Sequence, residues 1–456
     1  MNYKSILDKQ RLFFETDKTK DVHFRVAQLK KLKTVLKHNE QRLYDAIYKD
    51  FKKSEFETYV TELSQIYHEL NVLLKKINTW SKKKPVSTNL INLPGRSYII
   101  PEPLGCVLVI GAWNYPYYLS LVPVVSALGA GNTVILKPSE MPSNTAKVMS
   151  EIINSNFVTE VLTVVEGGVP ETTELLKNRF DKIFFTGSTS VGKIIYKAAA
   201  ENLTPVTLEL GGKSPAFILS DCDIQTSVKR IVWSKYLNAG QTCVAPDYLL
   251  IDQAIENSFL EALKKEIDLR HDHTEDIQEN YVQIIDYKNY ERLEALIDIK
   301  KLAYGGVTDR SRRYIGPTIL KDVSFEDEIM KSEIFGPILP IISFNDLDSA
   351  IQQVKNHDKP LSLYIYSKNT KSIKHILSSI SFGGGMINDG VAHLSNSSLP
   401  FGGVGTSGIG NYHGKAGFDT FSHQKSIIQK KFWIEPSIKY LPFSKWKQKV
   451  LKLLIE

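Results

Sequence analysis

Cysteine is scarce in this chain: three residues in 456, at Cys106, Cys222 and Cys243, with no CxxC pair. So few and so scattered, they exclude a disulfide framework and a cysteine-rich zinc site. They fit a reducing, cytoplasmic compartment, where a lone thiol persists as such. The opening segment MNYKSILDKQRLFF lacks an apolar stretch, so no signal peptide is expected. Internal repeats and low-complexity segments are absent too. The chain also lacks a broad basic character. Its net charge is +7, but residues 425–456 hold eight Lys against Glu435 and Glu456, a balance of +6 that leaves +1 for the rest. That distribution excludes a general nucleic-acid binder and marks the C-terminal segment as special.

One long uncharged run, from Pro103 to Leu136, could cover a bilayer by length alone. Asn114, Pro116, Pro123, Gly129, Gly131 and Asn132 divide it into a strand, a turn and a helix, which reads as a buried α/β core. At 456 residues the chain needs two or more compact units. The first ~80 residues keep apolar positions three and four apart, as in VAQLKKLKTVLKHNEQRLYDAIYKDF, and predict helices. Then short apolar runs alternate with amphipathic ones. Strands are expected at 106–111, 133–137, 161–165, 182–186 and 206–210, with helices starting near Tyr118, Ser143, Pro170 and Ser190. A second alternating set has strands near 215–219, 247–252, 338–344 and 361–366, and helices around 223–237, 255–270 and 346–356. Alternation of this kind predicts doubly wound, parallel α/β sheets.

Several segments carry chemistry. DKIFFTGSTSVGKIIYKAA (181–199) is a strand, a glycine-bounded turn and a helix start, a form that suits phosphate. GSTSVGK nearly spells a Walker A loop, but Ile194 follows where Ser or Thr would hold Mg²⁺. Cys243 sits in NAGQTCVAPDY among Asn238, Gly240, Gln241 and Thr242. By itself it reads either as a small buried hydrophobe or as a nucleophile. Cys106, in an apolar run, fits the first reading; Cys222, between Asp221 and Asp223, is disfavoured as a thiolate. Glu209 ends an apolar strand in TLELGGKSP, where a carboxylate is a salt-bridge partner, a cap or a general base. Asn114, in GAWNYP, ends another strand and either makes the turn or donates to an oxyanion. His271-Asp272-His273 with Glu275 and Asp276 reads as a solvated loop, and no metal is expected.

GAWNYP, KPSE, FTGSTSVG, LELGGKSP, GQTCVAPD and EIFGPILP occur in this order and at these separations. The series resembles the aldehyde dehydrogenase superfamily, and within it the class 3 or fatty aldehyde dehydrogenase branch, from about residue 20 to about residue 430. The resemblance implies that Cys243 adds to the aldehyde carbonyl, that Asn114 and the Cys243 backbone N–H hold the oxyanion, and that Glu209 activates the water that hydrolyses the thioester. It implies a cofactor site of Lys137 and Glu140 at the adenosine ribose, Gly187, Ser188 and Gly192 at the phosphates, and Glu333 and Phe335 at the nicotinamide end. Glu140 beside a ribose 2′-hydroxyl favours NAD, and NADP stays open.

The family fold implies a Rossmann-like cofactor domain (1–81 and 101–210), an α/β catalytic domain (211–419) and a small bridging sheet (82–100 and 420–432). A tail (433–456) follows. The short N-terminal extension resembles the dimeric branch, which implies a homodimer. The branch also implies a medium- or long-chain, or otherwise hydrophobic, aldehyde. Two alternatives are weighed: a CoA-acylating relative, which usually lacks the glutamate standing here at 209, and a catalytically retired, crystallin-like relative. In SKWKQKVLKLLIE (444–456), Trp446, Val450, Leu453 and Leu454 share one helical face opposite lysines. Such a helix either lies at the inner membrane surface or packs on the dimer.

Overall fold

In the computed structural model, which describes residues 3–271 and 281–455, the uncharged run folds as an interior strand–helix–strand crossover with parallel strands. The strand Cys106–Ile110 leads through a turn into the helix Pro116–Ala130, and the strand Thr133–Lys137 follows. All fifteen helix residues are buried, which is why the run holds no charge. Gly131, at φ 98°, closes the helix in a left-handed conformation that suits glycine. Among the described residues no helix is long and apolar enough to cross a membrane.

These elements belong to a six-stranded sheet. Its order is Gly408–Ile409, Val206–Glu209, Lys182–Thr186, Cys106–Ile110, Thr133–Lys137 and Leu162–Val164. All neighbours are parallel except the edge strand Gly408–Ile409. The chain builds outward from Cys106–Ile110 on one side, then returns to build outward on the other. That reversal creates a crevice at the carboxyl ends of the strands, where open α/β sheets bind ligands. The helices Val22–His38 and Ser64–Trp80 pack on Pro116–Ala130.

A second, seven-stranded sheet has the order Leu302–Tyr304, Thr318–Leu320, Ile338–Phe344, Tyr248–Asp252, Pro215–Ile218, Ser362–Tyr366 and Gly384–Ile387. Three of these were not foreseen: Leu302–Tyr304, Thr318–Leu320 and Gly384–Ile387 are only three or four residues long, and the last begins with two glycines. A third sheet joins Lys84–Val86, Arg96–Pro103 and Ser422–Gln429 antiparallel, with Ser422–Gln429 on an open edge.

One boundary needs correction. The span 211–419 was assigned to the second unit, but the chain re-enters the first sheet at Gly408, which pairs with Glu209. The helix Gly414–Thr420 then packs on Pro116–Ala130. Asn132 ties this return in place by donating to the Phe421 carbonyl at 2.9 Å.

Candidate active site

Most residues singled out on the first unit stand at or just past the carboxyl end of a strand, and Gly192 lies in the first turn of the helix that follows one. Asn114 lies in the turn after Cys106–Ile110, Lys137 ends its strand, Gly187 and Ser188 follow Lys182–Thr186, and Glu209 ends Val206–Glu209. Backbone bonds stitch these ends together: Gly111 N–H donates to the Lys137 carbonyl at 3.0 Å, and Gly187 N–H to the Glu209 carbonyl at 3.0 Å. The second unit supplies the facing wall through the turn Leu237–Gly240, which leads to Cys243, and through the loop 333–335.

The turn before Cys243 is strained. Asn238 and Ala239 hold φ values of 55° and 51°, and Phe335 across the cleft holds 53°. Non-glycine residues in this region cost about 1–3 kcal/mol each and persist only where the surroundings enforce them. Close packing explains the enforcement, since a Cβ on Gly240 would collide with the Gly336 carbonyl. Gly240 is thus needed for the close approach of the EIFGP loop, while Gly336 makes room for the Leu293 side chain.

Asn114 is buried and reaches the Cys243 loop: its Nδ2 donates to the Gln241 carbonyl at 3.1 Å. Asn238 Nδ2 returns a bond to the Asn114 carbonyl at 2.9 Å, and the Tyr115 hydroxyl meets Thr242 Oγ1 at 2.6 Å. Gln241 is locked on both sides, donating to the Asn238 and Gln283 carbonyls and accepting from Ile285 N–H. Burial, then the charges of Glu333 and Glu209, push the Cys243 thiol up, while its own N–H and that of Val244 oppose this. The resting thiol is thus protonated, and two carboxyl groups are close enough to influence it.

Glu209 is 2% exposed, and neither carboxylate oxygen has a hydrogen-bond partner. Burial holds its pKa well above the ordinary 4.5. Unpaired buried carboxylates are costly, so a group kept this way marks a site rather than a frame. Thr186 Oγ1, at the end of the neighbouring strand, is also buried without a partner. Glu333 rises to about 8 through burial and the charge of Asp247, against the Gly212 N–H, Lys213 and Arg292. Its carboxylate lies so close to Gly211 that a Cβ there would collide with it.

The remaining residues make a rim that suits a dinucleotide. Lys137 Nζ is buried and donates to the Pro138 carbonyl (2.9 Å) and to Glu140 (3.1 Å), whose carboxylate is half exposed. Ser188 caps the helix Thr189–Ala200, whose start offers backbone N–H groups to an anion. A Cβ on Gly192 would meet the Leu210 side chain at 2.6 Å, so glycine lets this helix sit on the strand end. Phe335 meets Trp113 edge-on at 5.2 Å, beside Asn114. Of the acidic loop, Asp272, His273, Glu275 and Asp276 lie outside the described residues. His271 is wedged between the rings of Tyr236 and Tyr281, and burial lowers it to about 4.

Sequence reading gives no role to Trp113 and Tyr115 and takes Asn238 and Gln241 only as polar surroundings of Cys243, whereas all four hold the two walls together. The polar cluster around Cys243 was their only signal.

Two α/β units thus bring together a lone thiol, an unpaired carboxylate and a nucleotide-type helix start, an arrangement that suits an enzyme active site. The model of the aldehyde dehydrogenase family matches residues 2–427. Mouse aldehyde dehydrogenase family 3 member A2 is 44% identical over 92% of this chain and 87% of its own length. The mouse dimeric NADP-preferring aldehyde dehydrogenase is 45% identical over 94% of each chain. The 4,4'-diaponeurosporen-aldehyde dehydrogenase of Staphylococcus aureus is 44% identical over 97% of this chain and 96% of its own. A substrate-bound Staphylococcus aureus AldH structure superposes with a TM-score of 0.97 at 42% identity, covering all of both chains. The chain belongs to the aldehyde dehydrogenase family, on its class 3 side, and is an NAD(P)-dependent enzyme of aldehyde oxidation.

Proposed function

We propose that Cys243 is the nucleophile, that Asn114 and the Cys243 N–H stabilise the oxyanion, and that Glu209 is the general base. The observation that carries this is the buried, unpartnered carboxylate of Glu209 acting electrostatically on the only partly exposed thiol of the three. The Cys243 thiol gives its proton to the Glu209 carboxylate, which passes it to solvent, and the sulfur bonds to the aldehyde carbon as the carbonyl π pair moves to oxygen, leaving a thiohemiacetal alkoxide. Asn114 Nδ2 and the backbone N–H stabilise that oxygen, and one such donor is worth roughly 2.7–4 kcal/mol. A bound nicotinamide would supply the hydride acceptor that lets the alkoxide on Cys243 collapse to a thioester. Glu209 then takes a proton from water, the hydroxide adds to the thioester, and the Cys243 sulfur leaves with the acid released. Burial raises the pKa of Glu209, which makes its carboxylate a stronger base than an ordinary one.

For the cofactor, Lys137 and Glu140 hold the adenosine ribose, the 187–192 turn the phosphates, and Glu333 with Phe335 the nicotinamide end. Glu140 favours a free 2′-hydroxyl, so NAD is used in preference and NADP is also accepted.

The substrate is a medium- or long-chain, or otherwise hydrophobic, aldehyde. A cavity of about 450 Å³ beside the turn leading to Cys243 has Trp233, Tyr236, Leu237 and Tyr281 on one part of its wall and Glu57, Lys229, Glu266 and Arg270 on another. A chain-length series from acetaldehyde to hexadecanal, with NAD and NADP in parallel, tests this. A kcat/KM that rises with chain length supports it, and a maximum at acetaldehyde contradicts it.

The enzyme works as a cytoplasmic homodimer, the open edge of Ser422–Gln429 and the exposed Ile428, Phe432 and Trp433 offering the contact. The helix Lys445–Ile455 exposes Trp446, Leu453 and Leu454 among four lysines, which suits peripheral contact with an anionic membrane surface. Deleting residues 436–456 abolishes sedimentation with anionic vesicles on this account; unchanged sedimentation contradicts it.

A further inference from the structure

Three charged side chains stand behind the cleft without a part in the chemistry above: Lys53, Glu57 and Glu62. Lys53 and Glu62 have no exposed side-chain surface, and Lys53 Nζ bonds Glu62 Oε1 at 2.9 Å. Buried pairs like this seldom add stability over apolar residues of the same volume, so their service to the molecule must lie in geometry.

That geometry is specific. The helix Pro116–Ala130 begins two residues after Asn114 and has no side-chain cap from its own N-cap residue, Tyr115. Glu62 Oε2 supplies one from another element, accepting from the N–H groups of Tyr117 (2.8 Å) and Tyr118 (3.3 Å). A carboxylate at a helix start is favoured by the helix dipole as well as by these bonds. The Lys53 ammonium also lies 4.4 Å from the centre of the Tyr115 ring, whose hydroxyl holds Thr242 next to Cys243. Glu62 is presented by a π-helical turn, Tyr59–Leu63. Just before it, on the same continuous helical segment, Glu57 Oε1 accepts from Asn238 N–H at 2.9 Å. Asn238 is the left-handed residue whose amide binds the carbonyls of both Asn114 and Gln241. One segment therefore grips both walls of the oxyanion pocket.

We propose that Glu57 and Glu62, the latter balanced by Lys53, are positioning residues that set the gap between Asn114 and the Cys243 loop. Glu62 fixes the turn that carries Asn114, and Glu57 fixes the turn that leads to Cys243. Neither touches the reacting atoms. The proposal rests on the assignment of Asn114 as an oxyanion donor made above.

The test compares the full-length chain with Glu62→Gln, the paired variant Lys53→Met/Glu62→Leu, Asn114→Ala, and the paired variant combined with Asn114→Ala. The readouts are the pre-steady-state burst of NADH, NAD binding, alkylation of Cys243 by iodoacetamide, and thermal melting. Glu62→Gln strands the Lys53 charge and lowers the melting temperature; the paired variant removes both charges and recovers it. In both, the burst rate falls by on the order of 10²-fold, the scale of a misplaced catalytic group. NAD binding and alkylation stay within about twofold. In the Asn114→Ala background the paired change has little further effect, because Asn114 is the group it positions.

A wild-type burst rate in the folded paired variant overturns the proposal, as do losses that multiply with that of Asn114→Ala. If the paired variant does not fold, Glu57→Gln is read in the same way, with the same two outcomes deciding. An Asn114→Ala enzyme with an unimpaired burst overturns the oxyanion assignment itself, and is told apart because it needs neither Glu57 nor Glu62 changed.

Discussion

Glu209 and Glu62 are both carboxylates with almost no exposed surface, 2% and 0%, yet the fold treats them oppositely. Glu62 receives a lysine and two backbone N–H groups; Glu209 receives nothing. A satisfied buried carboxylate is part of the frame, whereas an unsatisfied one leaves lone pairs for a group that arrives later. On the proposed mechanism, the difference separates residues that hold geometry from the one that meets water and substrate.

Removing each carboxylate breaks the comparison most directly. Glu62→Gln leaves Lys53 buried and alone, a defect that typically costs about 3–5 kcal/mol. Urea titration should show that loss. Glu209→Gln breaks no hydrogen bond or ion pair, so at pH 4, below the ordinary carboxylate value, its stability falls far less than that of Glu62→Gln. A large loss of stability in Glu209→Gln would show that Glu209 is structural.

Asn114→Ala is the next largest effect, lowering kcat by about 10²–10³-fold with NAD binding unchanged. Stopped-flow measurement of the burst checks it.

How much of this was legible in the sequence depends on the range of the contact. The strand–helix alternation, the long buried helix and the strand ends carrying Lys137, Gly187 and Glu209 announce themselves locally, through hydrophobic period and turn residues. Glu57, Glu62 and Lys53 do not: in YKDFKKSEFETYVTEL they look like ordinary charges on a surface helix. Only the meeting of that segment with Tyr117, 55 residues later, and with Asn238, 181 residues after Glu57, gives them partners. The edge strand Gly408–Ile409 escapes sequence reading for the same reason, since two residues, one of them glycine, carry no period. Cys243 was ambiguous alone and gained its meaning from companions far away in sequence.

The pH dependence sharpens the comparison further. The folded pKa of Glu209 is raised, so the stability it contributes is fully present below its ordinary value of 4.5 and is lost as pH rises toward the folded pKa. Wild-type stability should therefore fall more steeply above pH 4.5 than that of Glu209→Gln, and denaturant melts across pH 4–9 read the difference directly. Activity moves the other way, because both the Cys243 thiolate and the Glu209 carboxylate form as pH rises, so kcat/KM climbs from neutral into alkaline solution. Parallel stability curves for the two proteins would remove the claim that Glu209 is held neutral.

The smallest effect is at the exposed rim. Glu140→Gln removes a half-exposed charge and should raise kcat/KM with NADP relative to NAD by no more than about fivefold, the scale of a single screened surface charge. Steady-state kinetics with both cofactors measure it.

The most direct test of the division between frame and site is mass spectrometry of Glu209→Gln quenched during turnover with a long-chain aldehyde and NAD. The account predicts an acyl adduct on the peptide containing Cys243, approaching one equivalent, with a normal NADH burst and slow release thereafter. A Glu209→Gln enzyme that turns over at the wild-type rate with no adduct on Cys243 would contradict it.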